Sequence, residues 1–427
     1  MEQDYYSIFI YIALWVLAFL VLSKFCSFWS TTKVIVSTYT FFAVLAYMLM
    51  DNPFFQPNYQ GLTIAPFVYL FLFIIVSITP IIKYDTTKPQ TLISPSLGSI
   101  KYFLLIYILV SIIVLPQSFT NIQEGLTRLM SDSTAGAEMY AETHEHEAVY
   151  HSPIFGAFSA FHNCFFETFV FLTFLMYCSS QISKWYFIVL STIILFELLA
   201  PIASGLRTMT IMKVFTMLAA VTFFYPFWKK NIKHFFQKIC FVVLGITMIP
   251  FLALTISRFG ERDAGTSGEI IRYAGEAPLN FNIYCYGTEL TRDGDRTCNM
   301  FKRWLGYSNV PEDVNETRIV HSAMEIGDDV FSTHVGDFVL DFGLVTPFVA
   351  LIVLTLIFLF ATHTNKTKVY SHQVFLLYLI TCVTLQGSMY LFYYSFKENY
   401  TIVSFLIAYI FLIIVENTSK PICFNRQ

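Results

Sequence analysis

The feature of this sequence that most limits its fold is a series of long apolar runs separated by polar loops. A helix that crosses a membrane needs about 20 mostly apolar residues, and the sequence holds about eleven runs of this kind. They cover residues 6–22, 34–50, 64–82, 102–119, 155–178, 185–203, 209–228, 239–257, 339–361, 373–395 and 400–416. A soluble protein would have to bury all of them in one core. We therefore predict an all-α, polytopic integral membrane protein of about eleven transmembrane helices.

The composition excludes an ordinary soluble domain. Charged residues make up 13% of the chain and hydrophobic residues 56%, whereas a soluble domain carries about 25% charged residues. The net charge of −3 is spread over separate loops, so it does not point to a nucleic-acid partner. No basic region precedes the first apolar run and no small-residue cleavage site follows it. We interpret this run as a retained span and not as a signal peptide.

The basic residues predict the orientation in the membrane, because cytoplasmic loops carry an excess of Lys and Arg. Most of them fall in the loops 23–33, 83–101, 179–184, 229–238 and 362–372 and in the tail 417–427. The short loops on the other side contain only Arg128, Arg207 and Lys397. This asymmetry predicts a cytoplasmic C-terminus and an N-terminus outside.

One long polar interval, from Arg258 to Gly343, interrupts the apolar runs and is predicted to lie outside. We therefore divide the chain into three parts. Residues 1–257 form a membrane segment with spans one to eight, and residues 258–338 form the large outside loop. Residues 339–427 form a second membrane segment with spans nine to eleven and the cytoplasmic tail.

Several basic residues that could bind an anion lie near the outer ends of two predicted spans. Ser204–Thr208 is a short break between helices, whose backbone N–H groups can point at an anion, and Arg207 would add a planar head suited to phosphate oxygens. Lys213 follows about one turn into the next span, and Arg258, Arg262 and Arg272 lie at the start of the long loop. The alternative for Arg207 is that it snorkels to lipid headgroups.

The long loop ends in a candidate acid–base group. His334, Asp337 and Asp341 have i, i+3, i+7 spacing, which places them on one face of a helix that starts near Ser332. A neutral imidazole can take a proton from a hydroxyl nucleophile while a carboxylate orients it. The alternative is an ordinary helix start, capped by Ser332 or Thr333, with Asp337 favourably placed on the helix dipole.

Other polar groups point less clearly to a functional site. The apolar runs contain His162, Glu167 and Glu197, and ionisable groups inside spans are usually paired or functional. Metal sites are conceivable in the run 142–147, followed by His151, and at 293–295. We favour a solvated acidic loop for the first and a turn for the second.

Aromatic and cysteine residues of the long loop also leave two interpretations open. Tyr273, Tyr284 and Tyr286 lie beside Asn and Glu residues, which suits a sugar-binding surface but equally an interfacial aromatic belt. Cys285 and Cys298 both fall in the outside loop, where an oxidising compartment would permit a disulfide.

Three of these elements resemble the bacterial Wzy-type O-antigen polymerases, which are similar to the O-antigen ligases. Ser204–Thr208 resembles the Ser-Arg element at the outer end of a mid-chain span. Arg258–Arg262 resembles the Arg-bearing start of the large periplasmic loop. Thr333–Phe338, followed by Asp341–Gly343, resembles the pattern of His, acid and Gly that ends that loop.

The resemblance implies a GT-C-like membrane architecture and a glycosyltransferase reaction in the bacterial inner membrane. A growing oligosaccharide on undecaprenyl diphosphate would be transferred to a lipid-linked repeat unit on the periplasmic side, without a metal or other cofactor. Arg207 and one or more of Arg258, Arg262 and Arg272 would bind the diphosphate, and His334 would activate the acceptor hydroxyl. Lys213, Asp337 and Asp341 are further candidate substrate-binding residues. Membrane lipids and a chain-length regulator protein are the other expected partners.

Two other functions fit many of the same features. A flippase or other transporter for lipid-linked oligosaccharides also needs many spans and buried charges, such as His162, Glu167, Glu197 and Lys213. It does not need a loop of about 80 residues outside the membrane. An O-antigen ligase would differ from the polymerase only in its acceptor.

Overall fold

The computed structural model describes most of the chain as helix. The residues that it describes are 2–27, 29–131, 135–145, 153–179, 183–259, 264–311, 314–324, 330–363 and 366–427. The helices of the first half are α1 (Glu2–Phe25), α2 (Thr31–Asp51), α3 (Ile64–Ser77), α4 (Thr79–Thr87), α5 (Leu97–Ser131), α6 (Ala135–Glu145), α7 (Pro153–Cys164), α8 (Phe166–Met176), α9 (Lys184–Ala203) and α10 (Arg207–Phe224). Those of the second half are α11 (Lys230–Phe259), α12 (Gly265–Asn280), α13 (Asn299–Trp304), α14 (Val314–Val320), α15 (Thr333–Phe342), α16 (Val345–Ala361), α17 (Ser371–Gln386) and α18 (Ser395–Thr418). A π-helical turn, Phe281–Cys285, continues α12.

The described residues include seven helices that are long and apolar enough to cross a membrane, or up to ten if each of three bent helix pairs counts as one span. Much of their apolar surface has no protein neighbour. Only 17% of the apolar window of α1 and 18% of that of α11 is buried. Exposed apolar surface of this extent requires an apolar medium. The prediction of a helical membrane protein is therefore confirmed.

Two predicted spans differ from the structure. The span predicted at 339–361 is wrong as a single helix, because α15 and α16 meet at 117°. Gly343, at φ +74°, ends α15 in a backbone conformation that favours glycine. The run 373–395 forms only a 16-residue helix, α17, because the chain leaves the helix after Gln386. Residues 387–391 instead pair with the start of α15.

The chain forms two compact units that interleave along the sequence. Unit 1 consists of Met1–Pro89, Ser267–Thr367 and Gln373–Leu406. Unit 2 consists of Gln90–Thr266, Lys368–His372 and Ile407–Gln427. The division into two membrane segments and one loop stays a prediction, and the two units cut across it.

A small sheet in unit 2 was not predicted. Its strands are β1 (Thr91–Ser94), β2 (Lys368–Tyr370) and β3 (Ile422–Asn425), in the order β2-β1-β3. β1 pairs with β2 in parallel and with β3 antiparallel, so that Leu92 lies opposite both Val369 and Phe424. The three strands come from segments that the distribution of basic residues assigns to one side of the membrane. Their pairing places those segments together, as that assignment requires.

In unit 2, α5 passes very close to the end of α9. A Cβ atom on Gly125 would lie 2.2 Å from the Ala203 carbonyl oxygen, so only glycine permits this approach. Beside it lies a buried apolar cluster that includes Leu129, Ile202 and Leu254. The crossing fixes the end of α9 directly before the break at residues 204–206.

Candidate functional site

The helix that carries His334 begins as predicted, at Thr333. The Thr333 hydroxyl accepts a hydrogen bond from the Gly336 N–H at 3.2 Å, which is the N-terminal cap of α15. Thr333 has a φ of +68°, a left-handed conformation that is costly for a β-branched residue. Strain of this kind persists only where surrounding contacts impose it. Here the Thr333 N–H donates to the Met389 carbonyl at 2.8 Å.

His334 is buried, with 2% of its surface exposed, and is oriented by a main-chain carbonyl. Its backbone N–H donates to the Gly387 oxygen at 2.9 Å, and its Nδ1 lies 2.8 Å from the same oxygen. Because a carbonyl only accepts, Nδ1 carries the proton and Nε2 keeps its lone pair in the neutral ring. The prediction that a carboxylate orients this imidazole is therefore wrong.

Gly387 is required for this contact. A Cβ atom there would lie 2.3 Å from His334 Nδ1 and 2.5 Å from the Val383 carbonyl oxygen. Neither atom can move away without breaking α17 or displacing the imidazole. No sequence pattern indicated that a glycine 53 residues away sets the tautomer of His334.

Asp337 and Asp341 lie on one face of α15, as their spacing predicts, and both are 1% exposed. Arg292 joins them from the long loop: its Nε donates to Asp341 Oδ1 at 2.7 Å and its Nη2 to the Asp337 carbonyl at 3.1 Å. The Thr297 N–H donates to Asp341 Oδ2 at 2.6 Å, and the Leu391 N–H to Asp337 Oδ2 at 2.7 Å. The protein's own donors thus occupy these carboxylates, which argues against the substrate-binding role predicted for them.

Arg296 completes a group that we call the arginine–aspartate cluster: Arg292, Arg296, Asp337 and Asp341. Arg296 Nε lies 3.3 Å from Asp337 Oδ1, and its guanidinium lies 4.3 Å from the centroid of the Tyr394 ring. Two arginines balance two carboxylates in a buried place. Neither arginine was predicted as a site residue, although two buried acids on one helical face require cationic partners.

The turn predicted at Asp293–Asp295 is confirmed. Asp293 and Gly294 have φ values of +51° and +80°, and the Gly294 N–H donates to the Asp341 carbonyl at 3.2 Å. Asp295 pairs with Lys302 and with His321. The described residues contain no group of three His, Cys, Asp or Glu side chains placed to hold a metal ion.

The acidic loop at 142–147 is described only in part. Glu142 makes two hydrogen bonds to Arg128, at 2.8 and 3.0 Å, which is an exposed ion pair. Residues 146–152, including His151, lie outside the described residues.

A row of half-buried aromatic rings lies beside the His334 turn in unit 1. Phe331 stacks on Tyr390 with centroids 5.5 Å apart and planes at 8°. Tyr273 meets Phe331 edge-on at 4.7 Å, and Tyr390 meets Tyr394 edge-on at 5.8 Å. Phe331 and Tyr390 are next to the two segments whose backbones pair at residues 333 and 389. Tyr273 is the one member that the sequence analysis singled out.

In unit 2 the structure brings Arg207 and Arg258 together around one ring. The Arg207 guanidinium lies 4.1 Å from the centroid of Phe259, and that of Arg258 lies 5.7 Å from it. Arg258 Nη1 also donates to the Gly205 carbonyl at 3.5 Å. Arg207 is 4% exposed, so the alternative that it snorkels to lipid headgroups is not what the structure shows.

Three of the five amides that we predicted for an anion at residues 204–208 are already paired. The N–H groups of Ser204 and Leu206 donate to the Pro201 carbonyl, and that of Gly205 donates to the Ile202 carbonyl. These three amides close the end of α9 and are not available to an anion. For the first amides of α10, at Arg207 and Thr208, the prediction stays a prediction.

Lys213 is part of a buried chain of polar groups and not of the arginine pair. Its Nζ donates to Glu197 Oε2 at 2.5 Å. Glu197 Oε1 lies 3.4 Å from His162 Nδ1, and His162 Nε2 lies 2.9 Å from Ser111 Oγ. We call these four residues the Glu197 chain. Because Glu197 already neutralises Lys213, the substrate-binding role predicted for Lys213 loses its basis.

Two further basic residues, Arg262 and Arg272, were predicted to bind the substrate. Arg272 belongs to unit 1 and lies 3.0 Å from Glu269 and 3.9 Å from Glu276 on its own helix. Arg262 lies outside the described residues. His334 belongs to unit 1, and Arg207 and Arg258 to unit 2.

The disulfide that the sequence permits is not formed, since Cys285 and Cys298 are both free thiols. Burial, together with the nearby Asp337 carboxylate, raises the pKa of Cys285 to about 12. Burial and the Asp341 carboxylate also raise the pKa of Cys298. Asp337 and Asp341 are each 1% exposed, so water is largely excluded around the carboxylates of α15.

Comparison of the chain with models of known protein families, with curated proteins and with solved structures finds no match. The resemblance to the polymerase family therefore stays a prediction. The function has to be argued from the site itself.

Proposed function

We propose that this chain is a glycan polymerase of the bacterial inner membrane. It would transfer a growing oligosaccharide from undecaprenyl diphosphate to a lipid-linked repeat unit on the periplasmic side, in the synthesis of O-antigen or capsular polysaccharide. The proposal includes about eleven spans, a periplasmic N-terminus, a cytoplasmic C-terminus and a periplasmic loop between spans eight and nine. It needs no metal.

The observation that carries the proposal is the state of His334. Its Nδ1 proton is held by the Gly387 carbonyl, so the imidazole presents Nε2 as a base in a largely dry environment. A strained residue, Thr333, comes directly before it, and such strain is concentrated at functional sites.

The reaction that we assign to this base is a glycosyl transfer. Nε2 takes the proton of an acceptor sugar hydroxyl while the hydroxyl oxygen attacks the anomeric carbon of the donor. The bond from that carbon to the diphosphate oxygen breaks, and undecaprenyl diphosphate leaves with the electron pair. The new glycosidic bond replaces the bond to the diphosphate, so atoms and charges balance.

We assign the diphosphate to Arg207 and Arg258. Arginine presents a planar set of donors that suits phosphate oxygens, and its charge stabilises the negative charge that develops on the leaving group. Both guanidinium groups lie on or beside the Phe259 ring, which places the two positive charges close to each other.

The aromatic row supports a sugar as the substrate of unit 1. The C–H face of a pyranose packs on aromatic faces, and tyrosine adds a hydroxyl that binds sugar oxygens. Phe331 and Tyr390 present such rings within a few residues of His334 along both paired segments. This arrangement suits the acceptor glycan, whose hydroxyl has to reach the base.

The proposal is tested with lipid-linked repeat units extracted from cells that lack this chain. The purified protein is placed in liposomes with these lipids, and the products are separated on a gel. We expect polymer from the wild type and none from His334→Ala or Arg207→Ala, with normal insertion of both variants. His321→Ala, which removes a histidine that pairs with Asp295, is the matched control and should keep activity. Full-length polymer from His334→Ala would contradict the assigned base.

A transporter of lipid-linked oligosaccharides is the second candidate, because the Glu197 chain places ionisable groups inside candidate spans. The location of lipid-linked glycans in cells that lack the chain separates the candidates. Loss of a polymerase leaves single repeat units outside, and loss of a flippase traps them inside. Loss of a ligase leaves full polymer on the lipid carrier.

A further inference from the structure

Three large apolar side chains of the long loop are exposed side by side. Trp304 is 58% exposed, Leu305 78% and Tyr307 60%. Trp304 is the last residue of α13, a six-residue helix whose residues Asn299 and Met300 are buried, and Leu305 and Tyr307 come directly after this helix. We call Trp304, Leu305 and Tyr307 the Trp304 patch. Exposed apolar groups in such a cluster mark a surface that is covered by another phase or another molecule.

The contacts of Trp304 fix the patch relative to a candidate membrane span. Its ring lies 6.0 Å from that of Tyr400, at 72°, and Tyr400 is in the second turn of α18. The apolar span within α18 runs from Phe396 to Thr418. With a rise of about 1.5 Å per residue, Tyr400 lies about 7 Å along the axis from the start of α18. Trp304 therefore lies at the level where this span begins.

The basic residues of α13 have the positions expected at a membrane–water boundary. Arg303 Nη2 donates to the Val310 carbonyl at 3.0 Å, and its guanidinium lies 5.4 Å from the Phe396 ring at the start of α18. Lys302 pairs with Asp295, with its ammonium 5.7 Å from the Tyr307 ring. Tryptophan and tyrosine are enriched at this boundary, and Lys and Arg keep their charged ends on its polar side.

We propose that the Trp304 patch inserts into the headgroup region of the bilayer, in the leaflet where α18 begins. The long loop would then lie on the membrane surface and would not stand free in water. The lipid interface fits better than a protein partner, because Trp304 contacts Tyr400 near the start of a candidate membrane span. Tyr400 is itself 38% exposed, so the exposed surface extends from the patch onto α18. This inference does not depend on the proposed function.

Insertion of the patch would also fix the depth of the arginine–aspartate cluster. Lys302 of α13 pairs with Asp295, which lies in the same turn as Arg292, so the patch and the cluster are parts of one short segment. If the patch is anchored in the interface, this segment is held at the depth of lipid headgroups. A lipid-linked substrate carries its phosphates at that depth.

The test measures the depth of the Trp304 indole. The full chain is placed in vesicles of phosphatidylethanolamine and phosphatidylglycerol that carry a nitroxide on the headgroup or bromine on the middle of the acyl chain. The signal of Trp304 is the difference between the wild type and Trp304→Phe. We expect quenching by the headgroup nitroxide, weak quenching by mid-chain bromine, and protection from aqueous iodide.

Trp185 provides the matched comparison, because it is also exposed, at 78%, and lies at the end of a candidate span. Its signal is obtained in the same way from Trp185→Phe. Quenching of Trp304 by iodide without quenching by either lipid probe would overturn the proposal. That result would also be the outcome if a protein partner covers the patch, since the vesicles hold this chain alone. The same vesicles need no glycan substrate, so failure here leaves the proposed polymerase activity to its own test.

Discussion

The two buried charge clusters stabilise their carboxylates with different kinds of partner. In unit 1, Arg292 and Arg296 reach from a loop to two acids on one helix, and main-chain N–H groups complete the carboxylates. In unit 2, the Glu197 chain takes one side chain from each of four helices, α5, α7, α9 and α10. Within the described residues, Glu197 has side-chain partners alone.

The difference indicates what each cluster does. Backbone N–H groups cannot be repositioned without refolding the segment, so the arginine–aspartate cluster fixes the conformation of a loop against α15. Side chains can exchange partners, so the Glu197 chain ties four helices together while leaving its hydrogen bonds free to rearrange. We infer that the first is a rigid support for His334 and that the second is the adaptable element. Substitutions in both clusters test this difference.

The largest loss of stability should follow Arg292→Met. Arg292 is 2% exposed at its side chain, and its removal leaves the buried Asp341 carboxylate without its cation. Breaking a buried ion pair on one side costs about 3–5 kcal/mol. The free energy of unfolding can be measured in mixed micelles with an increasing fraction of SDS. Arg292→Met/Asp341→Leu should recover much of the loss.

Arg128→Met is the control for this prediction. Arg128 also pairs with a carboxylate, but its side chain is 42% exposed, and surface ion pairs contribute about 0–1 kcal/mol. If the losses for Arg292→Met and Arg128→Met were equal, the arginine–aspartate cluster would not be the rigid support that we infer.

A smaller loss should follow Glu197→Gln. The variant leaves the Lys213 ammonium without the Glu197 carboxylate. We expect the free energy of unfolding to fall by about 3 kcal/mol, the lower end of the same range, because Lys213 is 17% exposed and lies over the Phe166 ring. Glu197→Gln/Lys213→Met should restore stability in the same SDS titration. A double variant as unstable as the single one would show that the Glu197 chain is not held by this pair.

The parts of the fold that could be predicted from the sequence are those with a local signal. The apolar runs predicted the candidate spans, and the Ser332-Thr333 cap predicted the start of α15. The i, i+4 spacing placed Asp337 and Asp341 on one face. Each of these signals lies within one helix, where the period of 3.6 residues makes neighbours predictable.

What could not be predicted depends on contacts between distant segments. Arg292 meets Asp341 across 49 residues, and Gly387 meets His334 across 53. No periodicity links such positions, so nothing in the sequence set Arg292 and Arg296 apart among the seven arginines of the long loop. The strands of the small sheet are three or four residues long, which is too short for an alternating pattern.

A moderate loss of stability, with a complete loss of polymer, should follow Gly387→Ala. The added Cβ would lie 2.3 Å from His334 Nδ1, and overpacking of this kind costs about 1–3 kcal/mol. The imidazole would have to leave the Gly387 carbonyl and would lose its fixed tautomer. Thermal unfolding and the lipid-linked repeat-unit assay measure the two effects separately.

Gly245→Ala is the matched control, because an added Cβ at Gly245 of α11 meets nothing within 4 Å. Alanine is favoured over glycine inside a helix by about 1 kcal/mol, so this variant should be slightly more stable and fully active. Normal polymer from Gly387→Ala would show that the carbonyl contact does not set the reactivity of His334.

The smallest effect is a difference in thiol reactivity that reports how dry the arginine–aspartate cluster is. The pKa of Cys285 is raised to about 12, so its thiol stays protonated at ordinary pH and only about one in ten thousand is ionised near pH 8. Labelling by N-ethylmaleimide should therefore be slowest at Cys285, faster at the half-buried Cys298 and fastest at the exposed Cys423. Below its pKa the Cys285 rate should rise about tenfold per pH unit, and SDS should abolish the order. Equal labelling of Cys285 and Cys423 in the folded protein would mean that water reaches Asp337, and the contrast between a rigid, dry cluster and an adaptable chain would fail.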